Sequence, residues 1–295
     1  MANDQSPIIL AFSGGLDTSF CVPWLKQHYD RDVITACVDT GGIDADAAIA
    51  LEERARALGA IEHILIDAKQ DFFDTVIRYL IAGNVLRGQA YPLCVGAERG
   101  LQAERLAKIA TERGATTVAH GCTAAGNDQV RFEVALRTLN PNIEALAPVR
   151  DNNWVRDEQL EYLKQNKLPL PAQGSAYSIN RGLWGITIGG QETLTSENSI
   201  PESAWVLSAN AFSEPIEPSR HTLEFRAGIP VALDGKSLSP VELIEALEKL
   251  AGGYGIGRGI HLGDTVLGTK GRVAFEAPAA ITLIAAHREL EKLVL

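Results

Sequence analysis

Short apolar runs alternate along the first half of the chain with stretches whose apolar positions recur at helical spacing. Pro7-Ile8-Ile9-Leu10-Ala11-Phe12 is a continuous apolar run, as a parallel strand buried on both faces requires, and Phe20 to His28 reads as the helix that follows it. Asp32 to Asp39 and Glu62 to Asp67 read as further strands, with Ala45 to Leu58 a helix that closes at Gly59 and Phe72 to Ala82 another helix. Leu101 to Arg113 is helical with Gly114 as its cap. Thr116 to Gly121 is a strand ending on a glycine-containing loop, and Ile143 to Pro148 is the last strand of the layer. This alternation predicts an α/β fold: a mostly parallel sheet with helices on both faces, and ligands beyond the carboxyl ends of its strands.

The pattern changes after Lys167-Leu168-Pro169-Leu170-Pro171-Ala172-Gln173-Gly174, which reads as a linker and divides the chain into domains 1–167 and 168–295. Beyond it come shorter strands, glycine-rich turns and one clear helix from Pro240 to Leu250, with Ser239 as N-cap and Gly252 and Gly253 after its end. The last segment, Ala277 to Leu295, is expected to start extended and finish as a helix. The second half is therefore read as a smaller α+β domain.

Composition narrows the function classes. A formal net charge of −10 argues against a general nucleic-acid surface, which needs clustered Lys and Arg, but leaves room for a local basic pocket. The four cysteines, Cys21, Cys37, Cys94 and Cys122, are scattered without Cys-x-x-Cys spacing. That pattern fits a reduced, cytoplasmic chain better than a disulfide framework or a metal site. No signal peptide is expected from the start of the chain, and no apolar run is long enough for a membrane span.

The chemistry concentrates in two loops. In Ala11-Phe12-Ser13-Gly14-Gly15-Leu16-Asp17-Thr18-Ser19 a glycine pair turns from strand to helix, exposing helix N-terminal amides amid three hydroxyls, an arrangement suited to a phosphate. It is neither a Walker A loop nor a Gly-x-Gly-x-x-Gly fingerprint. Taken whole, it resembles the pyrophosphatase (PP) loop of ATP-using ligases that release AMP and pyrophosphate. The second loop, His120-Gly121-Cys122-Thr123-Ala124-Ala125-Gly126-Asn127-Asp128-Gln129-Val130-Arg131-Phe132-Glu133, is the richest polar constellation. Its polar residues could simply cap and salt-bridge a helix. Its Gly-Asn-Asp-Gln-Val-Arg-Phe-Glu run, however, closely resembles the argininosuccinate synthase family.

That resemblance implies a reaction and a set of sites. The ureido oxygen of citrulline attacks the α-phosphate of ATP, pyrophosphate leaves, and the amine of aspartate displaces AMP from the citrullyl-adenylate, with Mg²⁺ partnering the phosphates. By resemblance, Ala11, Phe12, Ser13, Gly14, Gly15, Leu16, Asp17, Thr18 and Ser19 bind ATP, with Val38 against the adenine or ribose and Gly121 closing the pocket. Thr123, Asn127 and Asp128 hold aspartate; Asp128 orients its amine or accepts its proton, and Ser13 and Asp17 join it as candidate catalytic groups. Citrulline falls to Tyr91, Gly96, Asn127, Arg131, Ser178, Thr187, Gly263 and Phe275.

The departures from the family pattern cluster around the amino-acid end of citrulline. Cys94-Val95-Gly96 replaces a run with two more hydroxyls, and Thr123-Ala124-Ala125-Gly126 lacks a lysine. Gly263 replaces a glutamate and Phe275 a tyrosine. Losing a carboxylate leaves a free ammonium poorly compensated, so an N-acylcitrulline, neutral and bulkier there, is an alternative substrate. The resemblance further implies a homotetramer; family members carry a C-terminal arm past the segment like Ala274 to Pro278, so a smaller symmetric oligomer is also open. Rival readings are another PP-loop enzyme, such as a sulfur-inserting tRNA modifier, and an ATP-binding sensor without turnover.

Other residues read more simply. His120 is expected to make a structural hydrogen bond at a strand end, and Trp154, Trp184 and Trp205 to lie in the core or an interface. Arg99 is expected to face the polyphosphate or else to pair with Glu98 or Glu104, and Glu242 to Glu248 to form a solvated face. The whole reading requires the two glycine loops to converge.

Overall fold

A computed structural model describes residues 5–124, 127–170, 177–214, 216–265 and 268–294. Ala125, Gly126 and half of the expected linker, 171–174, lie outside the described residues. In chain order the elements are β1 (Ile8–Ala11), α1 (Leu16–Tyr29), β2 (Val33–Asp39), α2 (Ala45–Ala57), β3 (Glu62–Asp67), α3 (Lys69–Phe72) and α4 (Arg78–Ala82). There follow α5 (Arg99–Glu112), β4 (Thr117–His120), α6 (Asp128–Leu139), β5 (Glu144–Leu146), α7 (Pro148–Asp151) and α8 (Arg156–Gln165). The later elements are β6 (Ser178–Gly182), β7 (Gly185–Gly189), β8 (Leu223–Arg226), β9 (Ile229–Leu233), β10 (Lys236–Ser237), α9 (Pro240–Gly253), β11 (Arg258–Thr265), β12 (Gly268–Glu276) and α10 (Pro278–Val294).

Two compact units result: Met1–Asp39 with Ile43–Asp67 and Arg99–Gly174, and Thr40–Gly42 with Ala68–Glu98 and Ser175–Leu295. The first unit is the expected α/β layer, a five-stranded parallel sheet in the order β3-β2-β1-β4-β5. Every residue of β2 is buried, because helices cover both faces of the sheet and leave no polar position to spare. One core cluster joins Ile8 and Leu10 of β1 to Phe20, Val22 and Leu25 of α1, with Leu163 of α8 and the partly buried Trp154 packed against it. Strand order reverses between β1 and β4, so the loops after these two strands flank the crevice at the switch point.

Helix α1 starts at Leu16, four positions before the apolar spacing suggested, so Leu16 to Ser19 form its first turn rather than a loop. Thr18 and Ser19 are buried there, and polar residues in a first turn hide the periodicity from a sequence reading.

In the second unit a four-stranded antiparallel sheet runs β11-β12-β7-β6 and a smaller one β10-β9-β8. The helix expected from Phe72 is a composite of α3, a π turn over Phe73–Ile77 and α4, and it packs on α9, α10 and β9. Helix α9 carries the foreseen Ser239 cap, completed as a capping box by Glu242. Helix α10 begins at once with Pro278, whose fixed φ suits a first turn, so Ala279 to Ala286 are helical and not extended as the apolar run had suggested. Trp184 is buried, with its indole N–H donating to Pro92 O at 2.9 Å. Trp205 packs beside the Ile186, Ile188 and Ala274 cluster.

Candidate active site

The turn after β1 reverses the chain at Gly14 with φ of +73°, a conformation only glycine adopts without strain, and a Cβ there would lie 2.6 Å from the Leu51 side chain. Gly15 then caps α1 through its backbone alone, with no side-chain cap bond, so the first-turn amides are presented at the turn. Hydroxyls knit the loop around them. Ser13 Oγ and Thr18 Oγ1 lie 3.3 Å apart, Thr18 donates to Gly15 O at 3.3 Å, and Ser19 donates to Gly14 O at 3.3 Å. Together with the positive end of the helix dipole this is a cradle for an anion.

The loop after β4 meets this cradle. Ala11 and His120 are register partners, which brings both strand ends to one level. A Cβ on Gly121 would lie 2.9 Å from Thr18 Cγ2 and 3.1 Å from the Thr18 amide nitrogen, so only glycine lets the second loop pass over the α1 N-terminus. Val38 sits buried at the carboxyl end of β2, beside β1.

Around this convergence the charges are ordered. Asp17 accepts from Gln159 Nε2 at 2.9 Å. Gln159 comes from α8, a helix that gave no signal in the sequence reading. Its Oε1 is buried without a hydrogen-bond partner among the described residues. Asp128, first residue of α6, is gripped by Arg99 Nε on Oδ2 at 3.1 Å and by Arg131 Nη1 on Oδ1 at 2.8 Å. Burial pushes the Asp128 carboxyl up, but Arg99 and Arg131 outweigh it and hold its pKa below the ordinary value. Burial likewise pushes the Cys122 thiol up to about 12, with Asp128 and Asp17 both adding to the shift, so the two carboxylates act on one thiol.

Arg99 pairs with Asp128 and with Gln102 Oε1 at 2.7 Å. Asn127 takes a helical conformation and makes no side-chain cap bond, so the capping role considered for it is not realised, while Thr123 is exposed. Glu133 does pair within its helix, with Arg137 at 3.2 Å, and also with Arg150. His120 makes the expected structural bond: its Nδ1 accepts the Cys122 amide at 3.3 Å. Burial lowers its pKa to about 4, against the pull of Glu133.

The second unit gathers most of its citrulline candidates on one sheet face. Thr187 and Phe275 are cross-strand partners on β7 and β12, and Ser178 pairs with Gly189, two residues along β7 from Thr187. The Tyr91 ring lies 5.2 Å from Phe275, edge on, and stacks on His261 at 4.9 Å with an interplanar angle of 9°. Gly263 lies two residues beyond His261 at a bulge in β11, and a Cβ there would reach only ordinary contact with that ring, 3.7 Å away. The Tyr91 hydroxyl donates to Cys94 O, and Gly96 lies in the turn just beyond, donating to the same carbonyl at 2.7 Å. Sequence reasoning missed His261, since its stacking partner is 170 positions away in the chain.

Glu248 is a further correction. It does not belong to a solvated face: it pairs with Arg181 at 3.4 Å, and burial raises its carboxyl to about 7. Glu242 and Glu245 of the same helix are exposed.

Fold and site together define an α/β protein with an anion cradle at the switch point of a parallel sheet, joined in sequence to an antiparallel unit. Residues 7–169 match the argininosuccinate synthase N-terminal HUP domain and residues 177–295 the C-terminal domain of that family. The chain is 42% identical to the argininosuccinate synthase of Lactococcus lactis subsp. cremoris (strain MG1363), over 97% of its own length and 72% of the relative's. The Streptococcus gordonii enzyme of that name is 42% identical over 99% of the chain, and the Methanocaldococcus jannaschii one 40% identical over 97%, each again at 72% of the relative. This chain belongs to the argininosuccinate synthase family, whose members are ATP-using ligases.

Proposed function

We propose that the chain condenses citrulline, free or N-acylated, with aspartate at the expense of ATP. The ureido oxygen attacks the α-phosphorus and pyrophosphate leaves. The aspartate amine then attacks the adenylated carbon, and AMP leaves with the former ureido oxygen. The observation that carries this reading is the passage of Gly121 over the uncapped N-terminus of α1, which gives one strand tip a phosphate cradle and the other a view of it.

Ser13, Thr18, Ser19 and the amides from Gly14 to Leu16 hold the triphosphate, and Val38 supports the base or ribose. Asp17, held by Gln159, is a candidate catalytic group of the same loop. Asp128 is a carboxylate with a lowered pKa, a poor proton acceptor. Its role is therefore to orient the aspartate ammonium, since each carboxylate oxygen has a second lone pair beyond its guanidinium bond. Arg99 and Arg131 against one carboxylate leave a net positive charge, which suits the two carboxylates of aspartate; Thr123 and Asn127 complete that subsite.

Among the described residues no cluster of three or more His, Cys, Asp or Glu has the placement to hold a metal ion. Mg²⁺ in this reading comes with the triphosphate, held mainly by phosphate oxygens and water, as is usual for this ion. It neutralises charge on the phosphates.

Citrulline falls to Tyr91, Gly96, Ser178, Thr187, Gly263 and Phe275 of the second unit. The space at Gly263 beside His261, and a Phe275 ring that offers no hydroxyl, favour a substrate whose α-nitrogen carries a neutral acyl group. Cytoplasmic residence and a symmetric homo-oligomer belong to the same proposal; four free thiols support the first.

Pyrophosphate release from ATP is the test, measured with aspartate and citrulline together and with each omitted. The reading expects release with both, and it fails if release ignores either amino acid or if ATP binds without turnover. Steady-state rates with free and N-acylated citrulline decide the substrate: a clear preference for the free form ends the acyl reading and leaves the ligase intact.

A further inference from the structure

Away from these residues, the second unit carries a chain of hydrogen bonds that none of the ligase chemistry uses. Ser219 and His221 lie two residues apart on the segment entering β8. Ser219 Oγ is 2.7 Å from His221 Nε2, and His221 Nδ1 is 2.8 Å from Asp234 Oδ2. Asp234 sits at the turn between β9 and β10, its φ of 52° and the following Gly235 at 75° matching a two-residue type I′ hairpin. That turn holds the carboxylate rigidly: its other oxygen accepts the Thr222 amide at 2.8 Å, and its own amide donates to Thr222 O at 2.8 Å. With a carboxylate at Nδ1 the imidazole proton resides on that nitrogen, so Nε2 accepts from the serine hydroxyl. Tyr254, at the end of α9, places its hydroxyl 2.8 Å from Ser219 Oγ and 3.3 Å from Glu217 O.

These groups open onto a cavity of about 590 Å³ formed by α9, α10 and the β8–β9 hairpin. Ser219, His221 and Tyr254 line one part of it; Leu223, Phe225, Leu247, Leu250, Ile256 and Leu290 line much of the rest. A clamp that merely held the hairpin would need Asp234 and Thr222, but neither an oriented serine nor an apolar chamber beside it.

We propose that Ser219, His221 and Asp234 form a second catalytic site, which hydrolyses esters of aliphatic acids whose acyl chain occupies the apolar cavity. Ser219 Oγ bonds to the ester carbonyl carbon as its proton passes to His221 Nε2, and the Tyr254 hydroxyl donates to the oxyanion that forms. The carbon–oxygen bond to the alcohol breaks, and the alcohol leaves with the proton from His221. A water molecule then attacks the acyl-serine, His221 takes its proton and returns it to Ser219 Oγ, and the carboxylic acid is released.

The full chain should hydrolyse p-nitrophenyl esters with saturable kinetics. The rate should rise roughly fourfold per added methylene from acetate upwards until the cavity is filled. A fluorophosphonate should label the chain at Ser219, located by peptide mass mapping. Ser219→Ala should abolish both signals, and His221→Ala should cut hydrolysis at least about 100-fold. Tyr254→Phe should lower kcat about 100-fold with KM little changed. Aspartate- and citrulline-dependent pyrophosphate release by the same variants should stay at the wild-type level, showing that they fold and that the two sites act separately. Hydrolysis equal in wild type and Ser219→Ala, or fluorophosphonate labelling absent from Ser219, overturns the proposal.

Discussion

At the scale of single residues the site is governed by two groups whose environments push them in physically different ways. His120 is 2% exposed, and burial depresses its pKa from 6.5 to about 4. Between those values the unfolded chain binds a proton that the folded chain refuses, so stability is fully present above about pH 6.5 and is lost as the pH falls towards 4. The full effect is roughly 3 kcal/mol, with about 2 kcal/mol of it gone by pH 5. Urea midpoints of wild type and His120→Gln at pH 7 and pH 5 check this: the wild type should lose more stability on acidification than the variant. Asp128 behaves in the opposite electrostatic sense. Arg99 and Arg131 hold its carboxyl below its ordinary value, so its contribution persists above about pH 3.9 and disappears only under stronger acid. Asp128→Asn keeps the shape but loses the charge that positions an ammonium. Ligation should fall about 100-fold in kcat while KM for ATP changes little, as steady-state kinetics would show.

At the scale of elements, the account depends on how helix and strand ends are finished. The β4 loop clears the start of α1 only because Gly121 has no side chain. Gly121→Ala forces the loop away from Thr18, and nucleotide binding measured calorimetrically should weaken roughly tenfold in a chain that still folds. The capping box of α9 makes a second, purely structural prediction. Ser239→Ala should cost about 1 kcal/mol in chemical denaturation and leave pyrophosphate release unchanged. Much of this was legible in the sequence, because apolar runs and cap residues act locally: β1 to β4 and α2, α5 and α9 fall within a few residues of their expected places. Where reading failed, tertiary context decided. Leu16 to Ser19 are helical because Thr18 and Ser19 find backbone acceptors in the turn before them. Ala279 to Ala286 carry β-compatible residues but follow a proline that starts a helix. Glu248 follows the surface-acid pattern of its helix in sequence, yet it is half-buried beside Arg181, a neighbour 67 positions away.

At the scale of the whole molecule, the chain is two units whose sequence segments interleave, residues 68–98 grouping with 175–295. That segment follows a strand in the rhythm of the first half, yet its apolar positions are covered by α9, α10 and β9. The two loop motifs were readable because each is contiguous in sequence. The grip of Gln159 on Asp17, the Arg99–Asp128 pair and the Tyr91–His261 stack were not, since each joins residues that only folding brings together. The central claim is that the ureido oxygen attacks the α-phosphorus in the cradle after β1, and one measurement reaches it directly. Citrulline or N-acylcitrulline labelled with ¹⁸O at the ureido oxygen is turned over with ATP and aspartate, and the AMP is analysed by mass spectrometry. The account predicts one labelled oxygen in the AMP phosphate; AMP formed without label would contradict it.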